Sequence, residues 1–257
     1  MKIRIEHHRG SGSIVNEPNL KPDYEEILTA LEELEEGKLL EYFLGQKQKE
    51  ITKRIKQLKV EELDTSEIEQ IDFLHNTNKT ITTISEPGEI GNLKRKELAK
   101  ALGTKNYKKS LSDALNFYIR ENLESKGWQK EPKIFKSLDY EDRAWRLDFA
   151  KNDICVEVSF NHGEAIAHNI LKPVLSSEES SLEKEYTTQI GIVVTATEDL
   201  KKTGNLDDSA GTFDDFIEYF HPYSFFIRCP MIIIGLEGLE TFYIDKITKM
   251  PVELTDQ

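Results

Sequence analysis

One stretch decides the fold: Arg146-Leu147-Asp148-Phe149-Ala150-Lys151-Asn152-Asp153-Ile154-Cys155-Val156-Glu157-Val158-Ser159-Phe160. Two apolar-rich runs flank Asn152 and Asp153, and both of these residues tolerate the positive φ of a two-residue hairpin turn. A turn centred there places Ala150 opposite Cys155 and Asp148 opposite Glu157. The stretch therefore predicts an antiparallel hairpin with two carboxylates facing each other.

The opposed carboxylates of Asp148 and Glu157 are the unusual feature of this hairpin. Directly opposed residues have Cβ atoms roughly 5 Å apart. Two negative charges at that distance repel by about 3 kcal/mol at an effective dielectric near 20. A divalent cation between them reverses this, and oxygen ligands suit magnesium, which can activate a water and stabilise charge on a phosphate. A solvent-facing hairpin with hydrated acids is an equal alternative on spacing alone.

Side chains alternate between the two faces of a strand, and this sorts the second strand of the hairpin. Ser159 joins Glu157 on the carboxylate face. Val156, Val158 and Phe160 are expected to point the other way, into a core.

Strands and helices are expected to alternate along much of the chain, which indicates an α/β layer architecture. A short N-terminal strand precedes a helix that opens at Pro22 and ends at Gly37, and residues 38–74 read as a helical hairpin or short coiled coil. Residues 75–92 read as a loop with one short strand. The remaining expected helices are 94–102, 110–126, 164–175 and 213–220, and the expected strands are 144–150, 154–160, 189–197 and 231–236.

Composition fits a soluble globular enzyme, with 38% hydrophobic and 32% charged residues and no apolar run long enough for a membrane span. Cys155 and Cys229 have no partner at metal-ligand spacing, and we expect reduced core residues in a cytoplasmic protein. The net charge of −13 disfavours nucleic acid, yet residues 93–136 carry a net +7. Such a segment can contact DNA, with Lys108 and Lys109 as candidates, or be a solvated helix face.

The sequence resembles the PD-(D/E)xK nuclease superfamily, and within it the BglII and BstYI group of type II restriction endonucleases. The residues that carry the resemblance are Asp148-Phe149-x-Lys151-x-Asp153-x-x-Val156-Glu157-Val158-x-Phe160, the helix Asn116-x-Tyr118-Ile119 through Leu123 with Lys126-x-Trp128, and the strand pair 189–197 and 231–236. They span about residues 107–237. The resemblance implies a mixed central sheet flanked by helices, in one domain over 1–257 with a helical insertion at 37–92.

The same resemblance implies an active site. The Asp148 carboxylate, Glu157 and the backbone carbonyl of Val158 would bind the metal, Glu157 would also polarise the attacking water, and Asn116 would lie near the scissile phosphate. The third active-site position, lysine in most of the superfamily and glutamine in BglII, is Ser159 here. Its hydroxyl can hydrogen-bond a water but supplies no positive charge.

Two segments are candidates for reading the DNA sequence. By the same resemblance, residues just after the catalytic strand contact bases, and Asn161 and His162 have the donors and acceptors that major-groove edges require. A helix-capping turn over residues 161–164 is the alternative. The loop 199–212, with Ser209, is expected to be either a second recognition loop or an ordinary polar loop.

We therefore expect a magnesium-dependent endonuclease that cuts double-stranded DNA at a palindrome with a central GATC, acting as a two-fold homodimer. One alternative is a non-enzymatic DNA-binding protein with a helix-turn-helix at 95–118. Another is a repair or RNA nuclease of the same fold.

Overall fold

The structure is a computed structural model, and it describes residues 1–58, 65–83, 110–137, 139, 145–160, 162–178, 182–246 and 249–254. The helices are α1 Ser11–Ile14, α2 Lys21–Glu32, α3 Glu36–Leu58, α4 Thr65–Thr83, α5 Ser112–Ser125, α6 Ile166–Ser177, α7 Glu198–Thr203 and α8 Phe213–Tyr223. The strands are β1 Ile3–His8, β2 Gln129–Lys130, β3 Phe149–Lys151, β4 Ile154–Ser159, β5 Ile190–Ala196, β6 Met231–Leu236, β7 Phe242–Ile244 and β8 Pro251–Glu253.

The chain divides into two compact units. The first comprises Met1–Leu34, Asn116–Lys201 and Asp207–Gly238, and it contains a six-stranded sheet. The second comprises Glu35–Leu115, Lys202–Leu206 and Leu239–Gln257, and it contains α3, α4 and the hairpin β7–β8. The expectation of one domain with an insertion at 37–92 stays a prediction.

The sheet of the first unit has the order β1-β6-β5-β4-β3-β2. Strands β4, β5 and β6 run parallel, while β1, β3 and β2 are antiparallel to their neighbours. Every residue of β5 and β6 is buried, as expected where both faces of a parallel sheet are covered and the strands become continuous apolar runs. The predicted mixed sheet flanked by helices is confirmed.

The hairpin β3–β4 has the register that the turn predicts. Ala150 pairs with Cys155, and Asn152 adopts a φ of 47° in the turn. The amide of Asn152 donates to Asp23 over 2.7 Å, and the ammonium of Lys151 lies 2.6 Å from Glu26. These contacts fix the turn of the hairpin against helix α2.

The first strand of the hairpin is shorter than the expected 144–150. The backbone N–H of Leu147 donates to Pro132 over 3.1 Å, and that of Ile134 donates to Trp145 over 3.0 Å. The segment before Phe149 is thus hydrogen-bonded to residues 131–134 on one side, and its ladder with β4 ends at Phe149.

Helix α6 packs on the sheet through an apolar face that includes Ile166, Ile170 and Val174. These side chains join residues of β5, β6 and α8 in one core cluster. Close approach requires a glycine in β5, because a Cβ on Gly191 would lie 2.4 Å from the Cβ of Pro173. The two cysteines are both buried thiols without a disulfide, in agreement with the prediction.

Two expectations about loops are wrong. The segment 75–92 begins as helix, because α4 continues to Thr83. Thr77, a poor helix former, donates its hydroxyl to the carbonyl of Phe73 over 2.9 Å, so its polar group is satisfied within the helix. The loop 199–212 begins as helix α7, anchored by the buried Leu200, whose N–H donates to the Thr197 hydroxyl.

The helix expected to end at Gly37 is shorter, because α2 ends at Glu32 and Gly37 lies in α3, whereas three other helices agree with expectation in position. Helix α5 corresponds to 110–126, α6 to 164–175 and α8 to 213–220, with α8 opened by a capping box between Thr212 and Asp215. In the second unit, α3 and α4 pack against each other. The expected helix 94–102 lies outside the described residues. No helix of the described ranges is long and apolar enough to cross a membrane.

Replacing Gly191 with alanine is expected to lower the free energy of unfolding by about 1–3 kcal/mol, the usual cost of overpacking a core. Gly45 in α3 is the control, because a Cβ there meets nothing within 4 Å. Gly45→Ala should raise stability by roughly 0.5–1 kcal/mol. Urea unfolding measures both, and an unchanged midpoint for Gly191→Ala would contradict the close contact with Pro173.

Candidate active site

Two hydrogen bonds hold the carboxylates of Asp148 and Glu157 side by side beyond the end of the β3–β4 ladder. The backbone N–H of Asp148 donates to Glu157 Oε1 over 3.3 Å, and the N–H of Val158 donates to Asp148 Oδ2 over 2.8 Å. Glu157 is fully buried, whereas 38% of the Asp148 side chain is exposed. The pair therefore has one dry carboxylate and one that solvent and a ligand can reach.

Lys172, in the middle of helix α6, lies against both carboxylates. Its ammonium forms an ion pair with Glu157 Oε2 and lies 3.7 Å from Asp148 Oδ1. Only 8% of the lysine side chain is exposed. The repulsion inferred from the sequence is thus already reduced by a positive charge from another element.

Burial controls the protonation chemistry of this cluster. Desolvation and the negative charge of Asp148 raise the pKa of Glu157 well above its ordinary value, against the opposing effect of Lys172. Burial by itself would lower the pKa of Lys172, but the attraction of Glu157 and Asp148 outweighs it and the pKa lies above its ordinary value. Lys172 is therefore a cation at neutral pH.

Ser159 is buried and its hydroxyl is already hydrogen-bonded. Only 1% of the residue is exposed, and Asn169 of helix α6 donates its amide to Ser159 Oγ over 2.8 Å. Asn169 is itself buried. The hydroxyl at the third active-site position thus contacts the helix that carries Lys172.

A cavity of about 490 Å³ opens beside the carboxylate pair. Its lining residues are Asn116, Arg120, Lys130, Glu131, Asp148, Phe149 and Val158. Asn116 and Arg120 come from successive turns of α5, and Lys130 comes from β2. The cavity therefore combines two carboxylates with two cationic side chains, which suits a ligand that carries both a metal ion and phosphates.

The donors at this site fit a hard divalent cation. Glu157 Oε2 is buried, and its contact among the described residues is the ion pair with Lys172. Because the N–H and C=O of a strand residue point to the same side, the Val158 carbonyl faces Asp148, as its N–H does. Two carboxylates and a carbonyl are oxygen ligands of the kind that magnesium takes. Among described residues, no cluster of three or more His, Cys, Asp or Glu could hold a metal.

The residues expected to read DNA are described only in part. His162 and Ser209 meet, since His162 Nδ1 is hydrogen-bonded to the Ser209 hydroxyl and lies 3.8 Å from Asp207. Both side chains are exposed. Asn161, Lys108 and Lys109 lie outside the described residues, and their expected contacts stay predictions.

Sequence reasoning missed Lys172, Arg120 and Lys130 as parts of the site. Lys172 left one signal: it is the one Lys, Arg, Asp or Glu of its helix, between Leu171 and Pro173. The orientation of that helix was needed to connect the lysine with Asp148 and Glu157. Arg120 and Lys130 belong to the basic segment 93–136, where nothing in the spacing separates them from its other cations.

A profile of the restriction endonuclease BglII/BglIII family matches residues 59–236. A crystal structure of the restriction endonuclease BglII complexed with a DNA 16-mer is similar, with a TM-score of 0.52 and 17% sequence identity over 98% of this chain and 88% of that chain. Free BglII gives a TM-score of 0.46 and 16% identity over 95% and 83%. At 17% identity the structure of the DNA complex shows a shared fold alone. No curated protein sequence matches this chain.

Replacing Ser159 with alanine is expected to destabilise the protein by about 1–3 kcal/mol, because the buried amide of Asn169 loses its acceptor. Ser125→Ala is the matched control, since that exposed hydroxyl donates only to Asn122 in its own helix and should change stability by less than about 0.5 kcal/mol. Thermal unfolding compares the two variants. Equal stability of both would show that the buried hydrogen bond contributes nothing.

Proposed function

The chain belongs to the restriction endonuclease BglII/BglIII family, and from this premise we propose how its site cuts DNA. As a member of that family it is a type II site-specific deoxyribonuclease, and the family generally uses divalent metal. We propose that the metal is magnesium, held by Asp148, Glu157 and the Val158 carbonyl. The observation that supports this is the opposed carboxylate pair at the edge of a cavity with cationic walls.

The reaction adds a water oxygen to a backbone phosphorus and breaks one P–O bond to a sugar, whose oxygen leaves with a proton. Bound magnesium would lower the pKa of the water and offset charge on the phosphate. Glu157 orients and polarises the water, and its desolvated carboxylate has no bulk water to compete with. Asn116, Arg120 and Lys130 line the space in which the phosphates of the strand would bind.

We infer that His162 and Ser209 contact base edges. They are exposed, joined by a hydrogen bond, and contributed by two separate segments that meet through a bridge between His162 and Ala210. An imidazole and a hydroxyl offer donors and acceptors to the major groove. The resemblance to the BglII and BstYI group supports a palindrome with a central GATC, and a two-fold homodimer would match such a site.

Asp148→Asn is expected to slow single-turnover cleavage by at least about 100-fold, as loss of a group that positions transition-state charge does. Plasmid DNA with magnesium is the assay, scored for discrete fragments. Asp153→Asn is the matched control, because Asp153 belongs to the same hairpin but does not line the cavity, and it should cut normally. Site binding in calcium should survive both changes.

Three results would contradict this assignment. Normal cutting by Asp148→Asn would remove Asp148 from the metal site. Random degradation of the plasmid by the wild-type protein would favour a repair or RNA nuclease of the same fold. Equal cutting with and without a chelator would rule out the divalent metal.

His162→Ala is expected to weaken binding to the cleaved site by about 1–3 kcal/mol, the usual value of a good base contact, while binding to unrelated DNA changes little. His221→Ala provides the control, as an exposed histidine of the same unit that belongs to helix α8. Competition binding in calcium measures both. A uniform loss across all DNA sequences would show a phosphate contact instead.

A further inference from the structure

We propose that Lys172 supplies, from helix α6, the positive charge that the third active-site position of the hairpin lacks. The inference rests on the proposed cleavage site at Asp148 and Glu157. It makes Lys172 a residue that acts electrostatically through the carboxylates of that site, and Asn169 a residue that positions the helix.

The location of the ammonium supports this role. It forms an ion pair with Glu157 Oε2 and lies 3.7 Å from Asp148 Oδ1, so it contacts both carboxylates assigned to the metal. Asp148 also lines the cavity that would hold the phosphate. Lys172 itself does not line that cavity, so its charge acts on a bound ligand through the two carboxylates that it contacts.

Stability alone gives a poor reason for the lysine. The free energy needed to desolvate two buried charges is about as large as the stabilisation from their attraction. Apolar residues of similar volume often stabilise a core equally well. Ile170 and Val174 of the same helix pack in an apolar core cluster, and Lys172 is the one charged residue among the buried positions of the helix. A buried lysine in such a helix therefore indicates a use for its charge.

The small side chain of Ser159 allows helix α6 to bring Lys172 close to the carboxylates. Ser159 is small enough for Asn169 to reach its hydroxyl over 2.8 Å, and Lys172 follows Asn169 by one turn on the same side of the helix. A long side chain at 159 would have to displace Asn169. The hydrogen bond thus holds α6 in the position from which Lys172 reaches the carboxylates, and the cation comes from the helix rather than the strand.

The formal charges of the site favour the same role. When both are ionised, Asp148 and Glu157 together cancel a divalent cation, so the metal and its two carboxylates carry no net charge toward a negatively charged phosphodiester. Lys172 makes the loaded site positive, and positive charge gains value as negative charge builds up on phosphorus oxygens in the transition state. In this role the lysine contributes charge and transfers no proton, so the bonds that form and break are those of the hydrolysis described above.

Lys172→Met tests the charge with little change of side-chain volume. We expect single-turnover cleavage of the mapped plasmid site at saturating magnesium to fall by about 10²–10³-fold, with DNA binding in calcium retained. Lys172→Gln can still hydrogen-bond Glu157 and so spares the fold, and it should be equally slow. Lys184→Met is the matched control, because the Lys184 ammonium donates to Ser176 at the end of α6 and to none of the site carboxylates.

Metal binding provides a second readout that does not depend on cleavage. Titration of the DNA-free protein with Mn²⁺ should give an unchanged or tighter dissociation constant in Lys172→Met, because a neighbouring cation repels the metal. A lysine that merely shaped the metal ligands would give weaker binding instead.

Each result decides the inference. Slow cleavage by both Lys172 variants, normal cleavage by Lys184→Met and undiminished Mn²⁺ binding support it. Fast cleavage by Lys172→Gln would overturn it, and so would an equally slow Lys184→Met. Weaker Mn²⁺ binding by the Lys172 variants, with full activity restored at saturating metal, would also overturn it. If the wild-type protein cuts DNA and Asp148→Asn does not, the proposed function stands, and any contradictory result with the Lys172 variants overturns only the role of Lys172. If the wild-type protein does not cut DNA, the proposed function and the role of Lys172 are both overturned.

Discussion

The rest of the site depends on one constraint: two carboxylates share the end of a hairpin, and one of them is fully buried. Reciprocal backbone hydrogen bonds from Asp148 and Val158 hold them together. Such an arrangement is unfavourable unless positive charge lies nearby. In the protein without metal, the ammonium of Lys172 provides that charge.

This electrostatic requirement determines what the scaffold must do. Helix α6 has to approach the sheet closely enough for a lysine to reach the carboxylates, and the absence of a Cβ at Gly191 permits it. The hydrogen bond from Asn169 to Ser159 fixes the helix near the end of β4. On the side of the hairpin away from the site, Lys151 and Asn152 bind the acids of helix α2. The catalytic hairpin is thus held by specific polar contacts at its turn and by α6 near its other end.

Serine at position 159, in place of a longer polar residue, is connected to the position of helix α6. The superfamily resemblance assigns position 159 to a polar group beside the reacting phosphate, and serine is a departure from it. The structure gives this serine a different partner, because its hydroxyl accepts from Asn169. With a small residue on the strand, a lysine from the neighbouring helix fills the space beside the carboxylates.

The features that sequence predicted are those that depend on neighbours along the chain. The alternation of side chains along the hairpin strands and the turn at Asn152 were sufficient to predict the register of β3 and β4. Apolar runs were sufficient to predict where β5 and β6 lie. Short elements were missed: β2, β7 and β8 have only two or three residues each, too few for a period to emerge. Helix α7 was missed for the same reason, and α4 was cut short because its polar, Thr-rich end resembles a loop.

The sequence by itself determined the hairpin, the opposed carboxylates of Asp148 and Glu157, and the nuclease family. All of these follow from local alternation of side chains and from motifs that are read in order along the chain. Only the tertiary structure decided that Lys172 reaches the carboxylates, that Ser159 is bonded to Asn169, and that Arg120 and Lys130 share a cavity with Asp148. The reason is geometric: the rotation of a helix on a sheet is set by packing at positions such as Gly191, and no local pattern contains that information.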